Sequence, residues 1–155
     1  MARFHVSVDW RLEGDFLAKR YSRAHEISFE GALVVPGSPA LALVPAPLGR
    51  DGAMDPESAF IAALSACHML WFLDLAASAG LVVAAYRDEA EGTLARIAPG
   101  RQAMTRVVLR PRIEFSGERR PAPGEVEALH EKAHALCFIA NSVRTEVVVE
   151  NVAPP

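Results

Sequence analysis

Cysteine is scarce in this chain. Only Cys67 and Cys137 occur, 70 positions apart, which excludes a CxxC redox pair and a zinc knuckle built from sequence neighbours. An excess of positive charge is missing too. The 16 Lys and Arg residues stand against 19 Asp and Glu, with no dense basic run, so nucleic acid is not an expected partner. The opening residues MARFHVSVDWRLEGDF alternate apolar and polar side chains and lack the continuous apolar core of a secretory signal. That points to the cytoplasm, where a disulfide between the two cysteines would be catalytic rather than structural. Repeats, low-complexity tracts and heptads are absent. What is present is the composition of a folded protein, 51% hydrophobic and 23% charged over 155 residues. This suffices for one domain spanning 1–155 and not for two.

Phe4, Val6, Val8, Trp10 and Leu12 recur at period two. Glu13-Gly14-Asp15 then offers a turn before Phe16–Tyr21, which predicts a β-hairpin. Ile27, Phe29 and Leu33-Val34-Val35 predict further short strands, and Pro36–Asp51 reads as a long loop. Two strand-like runs, 82–96 and 105–115, flank Pro99-Gly100 as another hairpin. From Gly124 to about Asn141 the apolar positions Val126, Leu129, Ala133, Leu136, Cys137 and Ala140 follow helical spacing, which puts Cys137 on a buried helix face. Residues 144–150 close the chain as a β-branched strand. The order of elements predicts an α+β fold with antiparallel pairing.

Between these strands lies DPESAFIAALSACHMLWFLDLAASAG, residues 55–80. Asp55 stands where an N-cap belongs, Pro56 at the first helical position, Glu57 in the first turn and Gly80 just past the end. The 24 positions from Pro56 to Ala79 span roughly 36 Å as a helix. Hydropathy alone allows a membrane span. Asp74 inside the stretch, the lack of flanking Lys or Arg, and strands on both sides argue against one. A helix apolar all round must be enclosed all round, so a homodimer is expected.

At 100° per residue, Phe60, Cys67 and Asp74 fall on one stripe of this helix and Glu57, Ile61, Leu64 and His68 on the next. Taken alone, Cys67 reads as a small buried hydrophobe. With Cys137 on a second apolar helix face, packing could join the two sulfurs. His68 points about 100° away from Cys67, so it reads as a packed, hydrogen-bonded histidine rather than its base. A rival motif is His130-Glu131-Lys132-Ala133-His134, a literal HExxH, which on a helix binds zinc through its histidines with Glu131 as base and Cys137 as a conceivable third ligand. An amphipathic helix with two ordinary histidines is the plainer reading.

DPESAFIAALSAC resembles the signature of the OsmC/Ohr family, the osmotically inducible and organic-hydroperoxide-resistance proteins. In that family a Pro-Glu pair opens the central helix and a peroxidatic cysteine follows ten residues after the glutamate, the interval between Glu57 and Cys67. HEKAHALCFIANSV resembles the family's later helix with its second cysteine. His68 after Cys67 and the CFIANS run set this chain in an outlying OsmC-like branch. The resemblance implies an OsmC-like fold, with antiparallel sheets enclosing long central helices in an intertwined homodimer. It also implies a thiol peroxidase that reduces small apolar organic hydroperoxides to alcohols and protects against oxidative stress. Cys67 would be peroxidatic and Cys137 resolving. Glu57 would orient an arginine that holds the thiolate and polarises the peroxide, either Arg23 in YSRAH or Arg20. No cofactor is implied beyond an external dithiol reductant. A non-catalytic, ligand-binding or redox-sensing dimer stands as the alternative.

Overall fold

The computed structural model describes residues 1–150. They form two compact units, Met1–Ala59 and the chain from Phe60 onward.

The first unit holds five short strands: β1 (Val6–Asp9), β2 (Gly14–Asp15), β3 (Arg20–Tyr21), β4 (His25–Phe29) and β5 (Val34–Gly37). β1, β4 and β5 form an antiparallel sheet in which Ile27 lies opposite both Val8 and Val35. The partner of β1 is therefore β4, and not 16–21 as the sequence pattern predicts. The turn falls later than expected. Asp15 Oδ1 accepts the Ala18 N–H at 3.0 Å, and the two-residue strands β2 and β3 close around it. Gly14 sits at φ 109, where a Cβ would overlap the Arg20 carbonyl. The long loop after β5 is pinned by Ser38, which is buried. Its N–H donates to Met54 O at 3.0 Å, and its Oγ accepts the Arg50 N–H at 2.8 Å.

Helix α1 (Pro56–Ser78) starts where the sequence places it. Asp55 Oδ1 accepts the Ser58 N–H at 2.8 Å, satisfying one of the free donors of the first turn. Burial pushes the Asp55 carboxyl up, but the hydrogen bonds from Ser58 outweigh it and hold the pKa below its ordinary value. At the other end, Gly80 N–H bonds Ala77 O and Leu81 N–H bonds Ala76 O, both at 2.9 Å. With Gly80 at φ 73, this is a Schellman termination that a side chain would strain.

The second unit continues with β6 (Val82–Asp88), β7 (Glu91–Ala98), β8 (Arg101–Leu109), β9 (Pro111–Ser116), α2 (Glu125–Leu136), a 3-10 turn (Ala140–Ser142) and β10 (Glu146–Val149). The two predicted runs around Pro99-Gly100 are thus four strands. β7 and β8 form the hairpin there, while β6 pairs with β9. Pro111 interrupts the second run by removing a ladder donor. The α+β class stands, with one departure from antiparallel pairing, since β10 runs parallel to β8.

Every fourth residue of α1 on one row is buried, namely Leu64, His68, Phe72 and Ala76. Phe72 and Ala76 pack with Leu81, Ile113, Leu129 and Ala133, and Leu64 packs with Val107 and Leu109. Each large apolar side chain so enclosed contributes about 1.5–3 kcal/mol. Gly92 in β7 lets α1 approach, because a Cβ there would overlap Ile61 and Met104. The helix is long and apolar enough to cross a membrane by length and composition, but its buried row belongs to the core of this unit. The described residues do not enclose the helix on every side. Leu70 is 63% exposed.

Candidate functional site

Cys67 lies at the middle of α1, beside the buried row and half-buried. Asp74, expected on the same inward stripe, is exposed. The helix turns its His68 row inward, leaving Cys67 at the margin of the core.

Cys137 is 1% exposed. The sequence pattern carries α2 through it to about Asn141, but the helix ends at Leu136. Cys137 is the C-cap, with an extended ψ of 111°, and its N–H still bonds His134 O at 3.3 Å. It then begins the next turn. Its carbonyl accepts the Asn141 N–H at 3.0 Å and its Sγ accepts the Ala140 N–H at 3.4 Å. The Asn141 amide meanwhile donates back to Ala135 O at 2.9 Å.

Both cysteines are free thiols, and Cys67 is close enough to Cys137 to act on its proton. Burial pushes the Cys137 thiol up. Cys67 adds to the rise as hydrogen-bond partner and as charge, against the N–H groups of Ala140 and Ile139. Cys137 therefore stays protonated at neutral pH. Of the two, it is the sheltered thiol and Cys67 the accessible one.

His68 and His130 are 1% and 4% exposed. His68 Nε2 and His130 Nδ1 share a hydrogen bond of 2.9 Å. Their rings lie edge to edge and nearly coplanar, with centres 5.2 Å and planes 12° apart, and Phe72 stacks on His130 at 4.4 Å. Burial lowers both pKa values to about 4. For His68 the charge of His134 adds to the fall and that of Asp88 opposes it; for His130 the corresponding charges are His68 and Glu127. Both rings are neutral at pH 7. His130 is thus the hydrogen-bond partner that His68 was expected to have.

In the HExxH run, the Nδ1 of His130 is taken by His68, its Nε2 is buried without a partner among the described residues, and Cys137 lies past the end of α2. His134 stands with His130, Glu127, Glu131, Val147 and Val149 around a cavity of ≈ 320 Å³. Among the described residues no three His, Cys, Asp or Glu side chains converge as a metal requires.

In the first unit, Arg23 is half-buried, with its guanidinium over the Tyr21 ring at 5.4 Å. Its Nε is buried without a partner among the described residues, as is Glu57 Oε2. Arg20 is different: 77% exposed, it pairs with Asp15 at 3.6 Å. The aromatics near Cys67 divide. Phe72 is core, Trp71 packs edge-on against Phe138 at 5.5 Å, and Phe60 lines a cavity of ≈ 590 Å³ with Ile97, Met104 and Val143.

The sequence profile of OsmC-like proteins matches residues 49–151. The chain belongs to the OsmC-like family. An OsmC-like protein of unknown function from Vibrio cholerae O1 biovar eltor is 43% identical, with a TM-score of 0.95 over 98% of this chain and 100% of that one. Two structures share the OsmC fold at lower identity. The organic hydroperoxide resistance protein OsmC of Legionella pneumophila is 22% identical at a TM-score of 0.66, covering 97% of each chain. An organic hydroperoxide resistance protein of Elizabethkingia anophelis is 20% identical at 0.69, covering 97% of this chain and 94% of that one. No protein with a curated functional description matches.

Sequence reasoning missed three residues of this OsmC-like site's surroundings. Ser65 Oγ donates to Asp88 Oδ2 at 2.5 Å, and the Arg110 N–H donates to Asp88 Oδ1 at 2.6 Å. The Tyr86 hydroxyl is buried without a partner among the described residues, its pKa raised by burial and then by Asp88. Ser65 is readable as a hydroxyl at the middle of an apolar run; its acceptor lies 23 residues on and carries no local signal.

Proposed function

We propose that this OsmC-like protein is a cysteine-dependent peroxidase that reduces organic hydroperoxides to alcohols, protecting the cell against oxidative stress. The observation that carries the reading is the pairing of an accessible thiol, Cys67, with a buried, protonated one, Cys137, within reach of it. Names of the more distant relatives supply the substrate class.

Cys67 thiolate attacks the outer peroxide oxygen. The O–O bond breaks, the alkoxide takes a proton and leaves as alcohol, and Cys67 becomes a sulfenic acid. The Cys137 sulfur then displaces the hydroxyl, which leaves as water with the Cys137 proton, and a disulfide forms. A cellular dithiol reduces it by two exchange steps, becoming a disulfide itself. Arg23 supplies the cation that holds the thiolate and polarises the peroxide, and Glu57 fixes the arginine. The unpartnered polar atoms of both side chains suit partners acquired on assembly or with substrate. The working unit is a homodimer.

The test is consumption of cumene hydroperoxide with dithiothreitol as reductant. Wild type turns over. Cys67→Ser does not, and one equivalent of peroxide without any thiol leaves a disulfide in wild type and a sulfenic acid on Cys67 in Cys137→Ser, which mass spectrometry distinguishes. Wild type no faster than Cys67→Ser on any organic hydroperoxide sinks the reading and leaves the redox-sensing or ligand-binding alternative.

A further inference from the structure

We propose that the His68–His130 hydrogen bond is a strut that sets the register of α1 against α2 and so governs how readily Cys67 and Cys137 close to a disulfide. The inference rests on the two-cysteine chemistry above. His68 is the next residue to Cys67 on a 23-residue helix, and His130 lies two turns before Cys137, which closes its own helix.

Apolar side chains pack between these helices as well. Phe72 and Ala76 of α1 meet Leu129 and Ala133 of α2. Apolar contact is non-directional and tolerates small sliding. A disulfide does not: its Cβ atoms must come within about 3.5–4.5 Å and its dihedral near 90°. The ring-to-ring bond at 2.9 Å is the directional contact on this face. Sliding α1 over α2 breaks it and leaves two more buried nitrogens bare beside His68 Nδ1 and His130 Nε2, which already lack partners among the described residues. Each bare buried group costs about 1–3 kcal/mol. Two neutral imidazoles joined edge to edge, with Phe72 stacked on His130, thus specify one position where leucines would permit several. Neither ring touches the peroxide, so these are positioning residues.

The experiment equilibrates the protein with reduced and oxidised dithiothreitol and measures the Cys67–Cys137 disulfide, without any peroxide. Gln places an amide where the His Nε2 stands, and Asn one where Nδ1 stands. His68→Gln and His130→Asn are therefore expected within about threefold of wild type. His68→Asn, equally polar but too short to reach His130, is expected to disfavour the disulfide at least tenfold, about 30 mV for the two-electron couple. Stopped-flow oxidation of Cys67 to the sulfenic acid should be the same in all of them, because the strut acts on closure. His68→Leu and His130→Leu should also lose tenfold despite better apolar packing; if either fails to fold, the Gln-against-Asn comparison decides alone. Equal potentials for His68→Asn and His68→Gln overturn the proposal. A wild type inactive toward peroxides but with the potentials ordered as above leaves the strut standing and removes only the peroxidase reading.

Discussion

The Ser65 hydroxyl donates to the Asp88 carboxylate at 2.5 Å, tying the turn of α1 just before Cys67 to the end of β6. The other carboxylate oxygen takes the Arg110 N–H at 2.6 Å, so one side chain joins α1, β6 and the β8–β9 connection. A hydrogen bond to a charged group contributes about 1.5–3 kcal/mol net. Ser65→Ala is expected to lower unfolding free energy by an amount in that range. Asp88→Ala, which also strands a backbone donor, should cost more, in urea denaturation at pH 7. Equal or negligible losses would show that Asp88 is merely solvated.

Acid should weaken the protein before its carboxylates titrate. His68 and His130 have folded pKa values lowered to about 4 from 6.5. Between those values the unfolded chain binds protons that the folded one refuses. Stability therefore rises with pH across this window and is lost as pH falls from 6.5 toward 4, by up to about 1.4 kcal/mol per pH unit for each ring. The charges that face the pair are His134 and Glu127 on α2 and Asp88 on β6, with the Tyr86 hydroxyl nearby. Urea midpoints from pH 7 to 4.5 measure the slope, and the doubly substituted His68→Leu, His130→Leu protein should be flatter. An unchanged slope in that variant would assign the acid sensitivity elsewhere.

The two arginines should separate cleanly. Arg20 is engaged in an exposed pair with Asp15, worth about 0–1 kcal/mol, and Arg20→Ala should leave peroxidase kcat/KM within twofold. Arg23→Ala should lower it by about a hundredfold or more, as expected when a group that stabilises developing charge is removed. The reverse order would transfer the role to Arg20.

Exposed apolar side chains suit the proposed homodimer. Val6 and Val8 on β1 are 55% and 64% exposed, and Leu70 on α1 is comparably bare. Analytical ultracentrifugation at micromolar concentration should give twice the 16.7 kDa chain mass. Leu70→Asp should shift the equilibrium toward monomer through the cost of burying a charge. A wild-type monomer would leave these surfaces unexplained.

What the sequence made legible was what local chemistry decides. Asp55, Pro56 and Gly80 bracket α1 because caps act within one turn, and Cys67 and Cys137 stand out by rarity and by the spacing to Glu57. The rest depended on distant partners. β1 alternates as a hairpin strand would, yet Asp15 sets a later turn and β1 pairs with β4. Leu136-Cys137-Phe138-Ile139-Ala140 continues a helical pattern, yet the helix ends at Leu136, where the Cys137 sulfur takes the Ala140 N–H and the Asn141 side chain reaches Ala135. His68 and His130 each lie on an apolar row, but nothing in either row says that the two rows meet.

The last strand, β10, adds parallel to β8 in the second unit, laying Val147 beside Val107 and Val149 beside Leu109, while Glu150 clasps Arg110 at 3.0 Å. A growing chain on the ribosome therefore cannot finish the sheet that backs Leu64 until residue 149 has emerged. Until then a valine-rich ladder of unpaired N–H and C=O groups lies open, and the nascent protein passes through a stage in which a chaperone has an edge to hold.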